Sequence, residues 1–309
     1  MDGLPISPAR SDDCAELTIG WQRTLKAPIS CVGVGLHSGK RVSMTFQPAA
    51  VSQGIVFRRT DLRRDIPARY DHVVDTHHST VLGDGGARVG TVEHVMAALA
   101  GCGIDNVIVE LDGPEPPVLD GSAAPLVFLL DCAGIVEQDA SRSAIEIRRT
   151  VRVTDGDAFA ELRPGTGGLD MALSIDFAAA AIGRQALSLH LDTMSFRHEL
   201  ARARTFGLLE EVDQLRAAGL GMGGSLDNAV VVDQARVLNP AGLRMPDEFA
   251  RHKLLDAVGD LALAGAPLIG RFVAHRSGHA LNNRLLRALF ADRTAWREIS
   301  SAALSAAAA

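Results

Sequence analysis

Short strand-like runs interrupted by glycine and proline dominate this chain, and helical segments follow them. Runs such as 41–46 and 54–57 are short and punctuated, which favours strands over helices. Segment 91–101 (TVEHVMAALAG) instead contains good helix formers, with Thr91 as the predicted N-cap and Gly101 as the stop. The first half therefore predicts a sheet packed against helices.

The second half of the sequence repeats this order of predicted strands and helices. The further predicted elements are a strand at 106–111, a helix from 125 that Gly134 ends, strands up to about 191, helices from 195 and over 208–217, a strand at 229–233 and a helix at 247–264. Helices layered on a sheet in each half predict an α+β protein with two similar domains. The predicted divisions are a disordered N-terminal extension 1–20, a first domain 21–140, a second domain 141–299 and a disordered Ala-rich tail 300–309.

Charge and cysteine spacing exclude several classes of protein. A net charge of −6 argues against a nucleic-acid binder, because neutralising phosphates requires a basic surplus. The four cysteines form no CxxC pair, which favours a reducing cytosol. The sequence contains neither an apolar run of about 18 residues, as a spanning helix requires, nor a signal-peptide core. We therefore expect a cytoplasmic monomer with at most peripheral membrane contact.

Two glycine-rich stretches resemble nucleotide-binding motifs but fail their requirements. GVGLHSGK at 33–40 places three residues between Gly35 and Gly39, where a phosphate-binding loop needs four. GLGMGG at 219–224 follows a predicted helix and precedes a strand, the reverse of the order in a dinucleotide site. Neither stretch is interpreted as a nucleotide site.

Residues 249–265 (FARHKLLDAVGDLALAG) form a predicted helix with one polar and one apolar face. His252, Lys253, Asp256 and Asp260 fall within about 100° of one another around the helix axis. One interpretation is a solvated face on which His252 and Asp256 form an i,i+4 pair. The other is a metal site, since His and Asp one turn apart can share an ion as the histidines of an HExxH helix do.

Two further segments carry groups that a hydrolytic metal site uses. Glu93 and His94 lie on a separate predicted helix and offer a third ligand plus a base that is not a ligand. His279 follows a strand at a glycine turn, a loop position typical of catalytic side chains. Taken singly, each is equally compatible with an ordinary helix or loop residue.

Seven stretches, in one order over residues 22–298, together carry a resemblance to a known family. They are QRTLKAPISCVGVGLHSGK, TVEHVMAALAGCGIDN, LDGSAAP, RARTFG, GGSLDNAVVVD, RHKLLDAVGDL and SGHALNN. Together they resemble the UDP-3-O-acyl-N-acetylglucosamine deacetylases, zinc amidohydrolases of lipid A biosynthesis in Gram-negative bacteria. The resemblance implies a two-domain α+β sandwich with the active site between the domains. It also implies one Zn²⁺ per chain, a UDP-linked acylated N-acetylglucosamine as substrate, and release of acetate from its N-acetyl group.

The resemblance further implies individual roles. These are zinc ligands at His94, His252 and Asp256, a general base at Glu93, carbonyl and oxyanion contacts at Lys253 and Thr205, a ring beside the sugar at Phe206, and a second acid/base group at His279 oriented by Asp260. It implies an acyl-chain passage in segment 208–225, with Leu208, Val212, Leu215, Gly221 and Ser225 as lining residues. Without the resemblance, this segment would be interpreted as a core helix ended by glycines.

Several alternatives stay open at this level. In DTHHST, His77, His78 and Ser79 stand where some relatives are expected to carry apolar residues and a cysteine, which allows either an extra ligand or plain substitution. Glu93 alone or Glu93 with His279 can do the acid/base work. A zinc metallopeptidase or another sugar amidohydrolase shares the metal but needs no nucleotide or acyl chain, and a scaffold protein needs none of these groups.

Overall fold

A computed structural model describes residues 20–300 of the chain. Apart from one residue each, the predicted disordered segments 1–20 and 300–309 lie outside the described residues. The α-helices are α1 (Glu93–Gly101), α2 (Ala124–Ala133), α3 (Thr193–Ser195), α4 (Leu209–Ala217), α5 (Glu248–Ala262) and α6 (His279–Ala291), with a 3₁₀ turn at Tyr70–His72 and a π-helical turn at Phe196–Leu200. None of the helices between residues 20 and 300 is both long and apolar enough to cross a membrane.

The strands mostly follow one another in runs that lie between these helices along the chain. They are β1 (Trp21–Leu25), β2 (Ile29–Val34), β3 (Arg41–Pro48), β4 (Ile55–Arg59), β5 (Arg64–Pro67), β6 (Val73–Asp75), β7 (Val81–Asp84), β8 (Ala87–Val89), β9 (Val107–Leu111), β10 (Ile135–Ser141), β11 (Ser143–Ile147), β12 (Val151–Asp155), β13 (Ala158–Arg163), β14 (Leu169–Asp176), β15 (Arg184–Leu191), β16 (Phe206–Leu208), β17 (Val230–Asp233), β18 (Arg236–Val237), β19 (Leu268–His275) and β20 (Trp296–Ser300). The predicted α+β class is confirmed.

The two large sheets each take their strands from one half of the sequence. The first-half sheet has five strands in the order β2-β3-β9-β4-β5, and the second-half sheet has seven strands, β11 to β15 with β19 and β20. Strand β19 is parallel to β11 and β14 and antiparallel to β13. Strand β1 pairs with β10, which links the N-terminal strand to the middle of the chain. The exact domain boundary near residue 141 stays a prediction.

Alternating side chains turn one face of each large sheet toward the core. In β3, Val42, Met44 and Phe46 are buried, while the residues between them are exposed or half-buried. Its neighbour β9 buries Val107 and Val109 in the same alternation. A period of two places these side chains on one face, which packs against the helices.

Helices α1 and α5 pack directly against each other, one from each half of the chain. Gly259 makes the contact possible, because a Cβ atom there would lie 2.0 Å from the carbonyl oxygen of Glu93. The backbone of α5 therefore touches the first turn of α1. This close approach places the polar groups of α5 beside Glu93 and His94.

Three local expectations were wrong. Thr91 is not the N-cap of α1: the cap is Val92, and Thr91 has φ +53° with its hydroxyl bonded to Glu115. His279 does not lie in a loop but is the first residue of α6. The polar face of α5 is not solvated, since its His and Asp side chains are buried under α1 and its neighbours. Sequence periodicity identified that face but could not show what covers it.

Candidate metal centre and catalytic site

His94 from α1 and His252 and Asp256 from α5 form a compact group of potential metal ligands. One ligand atom from each lies within 4.8 Å of the others, and all three residues are buried. Asp256 Oδ1 is 3.3 Å from His252 Nε2 and 3.6 Å from His94 Nε2. The imidazole rings stand nearly perpendicular, with an interplanar angle of 89°. The three donor atoms therefore converge on one point.

The surroundings leave these donor atoms free. His252 Nδ1 lies 3.1 Å from the carbonyl oxygen of Ala203, which can only accept, so Nδ1 carries the proton and Nε2 keeps its lone pair. Burial lowers the pKa of His252 to about 4, which keeps the ring neutral at pH 7. Asp256 Oδ1 is buried and has no hydrogen-bond partner in residues 20–300. A buried carboxylate oxygen without a donor, facing two imidazoles, fits a cation.

Lys253 binds the second carboxylate oxygen of Asp256. Its Nζ donates a hydrogen bond of 2.8 Å to Asp256 Oδ2. Burial acts to raise the pKa of Asp256, but His252 and Lys253 outweigh it and hold that pKa well below its usual range. Burial likewise acts to lower the pKa of Lys253, and the charge of Asp256 raises it instead. Both groups are therefore charged at neutral pH.

Glu93 lies beside the ligand group without belonging to it. Its Oε2 accepts a 3.0 Å hydrogen bond from the backbone N–H of Thr80, and its Oε1 is 4.0 Å from His279 Nε2. Burial raises the pKa of Glu93, while the charge of His279 opposes that rise. A carboxylate with a raised pKa is a stronger base than an exposed one.

Asp260 holds His279 in place. Its Oδ2 accepts hydrogen bonds from His279 Nδ1 at 2.9 Å and from Asn282 Nδ2 at 2.8 Å. Its Oδ1 accepts a 2.5 Å bond from the hydroxyl of Thr80. Burial acts to lower the pKa of His279, but the charges of Asp260 and Glu93 raise it to about 9. The His279 ring is therefore an imidazolium at neutral pH.

Thr205 and Phe206 follow the π-helical turn, and Phe206 is the first residue of β16. The backbone N–H of Thr205 donates to Gly121 O, and its carbonyl accepts from the N–H of Val230, both at 2.8 Å. The Phe206 ring packs edge-on against Phe249 at 5.0 Å and lies 6.1 Å from the His252 ring. The Phe206 ring thus borders the metal-ligand group, and the role of the Thr205 hydroxyl stays a prediction.

Segment 208–225 forms a half-exposed apolar surface and not a core helix. No side chain of α4 is buried; Leu208, Val212 and Leu215 are each partly exposed. Gly221 has φ +64°, and a Cβ there would lie 3.7 Å from Leu215. The core-helix alternative is therefore wrong. Whether Leu208, Val212, Leu215, Gly221 and Ser225 line an acyl passage stays a prediction.

The DTHHST segment adds no ligand to the group. His77 and His78 are exposed, and the metal-ligand group found within residues 20–300 does not include them. Ser79 is buried and its hydroxyl accepts the backbone N–H of Thr91 at 3.2 Å. The next residue, Thr80, touches both Glu93 and Asp260, a role that no spacing or motif in the sequence indicates.

Comparison with known proteins identifies the family. The family model for UDP-3-O-acyl N-acetylglycosamine deacetylase matches residues 22–291. The chain is 52% identical over 284 residues to a UDP-3-O-acyl-N-acetylglucosamine deacetylase of Acidithiobacillus ferrooxidans, covering 91% of this chain and 93% of that relative. It is 53% identical to the enzyme of that name from Myxococcus xanthus, covering 88% and 87%, and 48% identical to that of Shewanella woodyi, covering 91% and 93%.

Proposed function

Because this chain belongs to the UDP-3-O-acyl N-acetylglycosamine deacetylase family, we propose that it hydrolyses the N-acetyl group of UDP-3-O-(3-hydroxyacyl)-N-acetylglucosamine. Acetate is released, and the step commits its substrate to lipid A biosynthesis. One observation carries the proposal: Asp256 Oδ1 is buried without a donor and faces two imidazoles, with the Glu93 carboxylate alongside. The same arrangement in a protein without metal chemistry would leave costly buried polar groups.

We infer that the cofactor is one Zn²⁺ per chain. His94, His252 and Asp256 would hold it, and two imidazoles with one carboxylate are typical of catalytic zinc sites with an open position. Bound there, zinc supplies Lewis acidity, which polarises the amide carbonyl and lowers the pKa of the attacking water.

Glu93 and His279 divide the proton transfers. Glu93 accepts a proton from the attacking water, and its raised pKa improves it as a base. His279, with its pKa of about 9, carries a proton at neutral pH that it gives to the leaving amine. The opposite charge states of the two groups favour the two-group alternative over Glu93 acting alone.

Lys253 and Thr205 stabilise the negative charge that develops on the carbonyl oxygen. The Lys253 ammonium is held by Asp256 at 2.8 Å and needs no reorganisation to act. Thr205 is held by backbone bonds on both sides and offers its hydroxyl. Phe206, beside His252, provides an apolar wall for the sugar.

The partly exposed apolar side chains of segment 208–225 support an acyl-binding role. Each methylene that leaves water contributes at most about 0.8 kcal/mol, so a long chain contributes several kcal/mol after ordering costs. A substrate without the 3-O-acyl group should therefore show a kcat/KM lower by orders of magnitude. Equal rates on both substrates would favour another sugar amidohydrolase.

The decisive experiment measures acetate release together with zinc content. Asp256→Ala should lose most of its zinc, because it removes a ligand, whereas Glu93→Ala should keep its zinc and lose rate by about 10² or more. Asp176→Ala, which changes an exposed strand residue, is the control and should alter neither. Loss of zinc in the Glu93 variant would refute the division between ligand and base, and absence of acetate release from the wild type would refute the proposed function.

A further inference from the structure

Thr80 donates hydrogen bonds to two different carboxylates of the site. Its backbone N–H binds Glu93 Oε2 at 3.0 Å, and its hydroxyl binds Asp260 Oδ1 at 2.5 Å. Its side chain is almost fully buried, with 2% of the residue exposed. One residue therefore connects the carboxylate beside the metal ligands with the carboxylate that orients His279.

The segment around Thr80 is also fixed to the start of α1. The N–H of Val92 donates to the Thr80 carbonyl at 3.3 Å, and the N–H of Thr91 donates to the Ser79 hydroxyl at 3.2 Å. Three elements thus meet at Thr80: the segment before β7, the first turn of α1, and the last turn of α5. A displacement of Thr80 would move Glu93 and Asp260 relative to each other.

We propose that Thr80 is a positioning residue, which holds Glu93 and Asp260 in a fixed relation and, through Asp260, sets the orientation of the His279 ring. The roles of Glu93 and His279 in catalysis rest on the proposed function. The hydrogen bonds of Thr80 do not depend on it.

The hydroxyl of Thr80 is the part of the contact that a mutation can remove alone. Asp260 Oδ2 has two donors, His279 and Asn282, whereas Oδ1 has the Thr80 hydroxyl. Without that hydroxyl, Oδ1 is left buried and unpaired, a costly state that the carboxylate escapes by rotating. Rotation would misalign His279, whose Nε2 now lies 4.0 Å from Glu93 Oε1.

Loss of the hydroxyl also has a defined electrostatic consequence. Burial acts to lower the pKa of His279, and the charge and hydrogen bond of Asp260 raise it to about 9. A carboxylate that has rotated out of this contact raises it less, so the pKa of His279 falls. The other charged groups that face His279 are Glu93 on α1 and Lys253 and Asp256 on α5, and none of them changes. The sign of the shift in the His279 pKa is therefore downward.

Thr80→Val tests the proposal, because valine keeps the shape and the backbone N–H and removes only the hydroxyl. We expect kcat to fall by about tenfold or more with KM within about twofold and zinc content unchanged. Thr80→Ser should restore most of the rate. The matched control is Thr24→Val, which removes a buried hydroxyl bonded to Asn106 O at 2.7 Å, far along the chain from the site, and should leave kcat unchanged.

A titration of the His279 ring by NMR in zinc-free protein provides a readout independent of activity. Its midpoint should move downward in Thr80→Val and stay near that of the wild type in Thr80→Ser. If Thr80→Val does not fold, Thr80→Cys, with its weak donor, should give an intermediate midpoint. A midpoint unchanged in these variants, or a kcat loss no larger than that of Thr24→Val, overturns the proposal. A shifted midpoint in a protein that releases no acetate would instead refute the proposed function alone.

Discussion

Replacing Asp260 with asparagine should change the pH range over which this protein works. Asparagine has nearly the same size as aspartate but removes the negative charge that faces His279 Nδ1 at 2.9 Å. Burial is the largest influence on the pKa of His279 and acts to lower it; the charge of Asp260 is the largest influence that raises it. Once Asp260 is neutral, burial outweighs the remaining charge of Glu93, and the pKa of His279 falls from about 9 to below its ordinary 6.5.

This shift predicts a loss of activity that depends on pH. If protonated His279 gives its proton to the leaving amine, only the imidazolium form supports turnover. At pH 8 the protonated fraction falls from about nine-tenths in the wild type to at most about one-thirtieth in Asp260→Asn, a loss of at least about thirtyfold in kcat/KM. The loss becomes smaller as the pH falls, because His279 of the variant regains its proton while that of the wild type is already protonated.

The assay is kcat/KM for acetate release between pH 5 and pH 10, with zinc content measured at each pH. Asp170→Asn is the matched control, because Asp170 contacts His190 at the same distance of 2.9 Å on an exposed part of the second-half sheet. We expect its pH profile to match the wild type. A basic limb that stays near pH 9 in Asp260→Asn would refute the reasoning and would assign that limb to Lys253 or to the attacking water.

The remaining predictions concern the acyl segment, the helix contact, the metal and stability. Gly221→Leu should reduce kcat/KM for long-chain substrates far more than for short-chain ones, relative to Gly219→Leu, which carries the same backbone strain at φ +76° but has open space around its Cβ. Gly259→Ala should lower the melting temperature, because its Cβ would lie 2.0 Å from a carbonyl oxygen of α1. Chelation of zinc should lower the melting temperature of the wild type but not that of Asp256→Ala. If free zinc had been at 100 times its Kd, the wild type should lose about 2.7 kcal/mol of unfolding free energy. In zinc-free protein, the protonated His279 ring should stabilise the folded state below pH 6.5, and this stabilisation should be lost as the pH rises through about 9. Denaturant titrations across this pH range measure the free energy of unfolding, and a His279→Gln variant should not show the loss.

The ligand residues of α5 were predictable because helical spacing is local information. His252 and Asp256 are one turn apart, so any helix places them on one face, and Asp260 continues that face. The buried strands were likewise readable from alternation, as in β3. These inferences depend only on the backbone geometry of a single element.

What the sequence could not provide were relations between elements. The burial of the polar face of α5 depends on Gly259 meeting Glu93 across the two halves, a contact between residues that are far apart in the chain. Thr91 looked like an N-cap because its type and position suit one, but its hydroxyl bonds Glu115 instead. Thr80 showed no pattern at all, since its importance comes from the two carboxylates it reaches.

The charges of the buried site explain why its parts depend on one another. Three carboxyl groups, those of Glu93, Asp256 and Asp260, lie in one buried site with the side chains of Lys253 and His279. A buried carboxylate is expensive unless positive charge or hydrogen-bond donors compensate it. The Asp256 oxygen without a hydrogen-bond donor is where a cation would offset that cost, because the other oxygen already binds Lys253. A divalent ion there would also lower the pKa of Glu93 through its field, so the strength of the base and the occupancy of the metal position are linked.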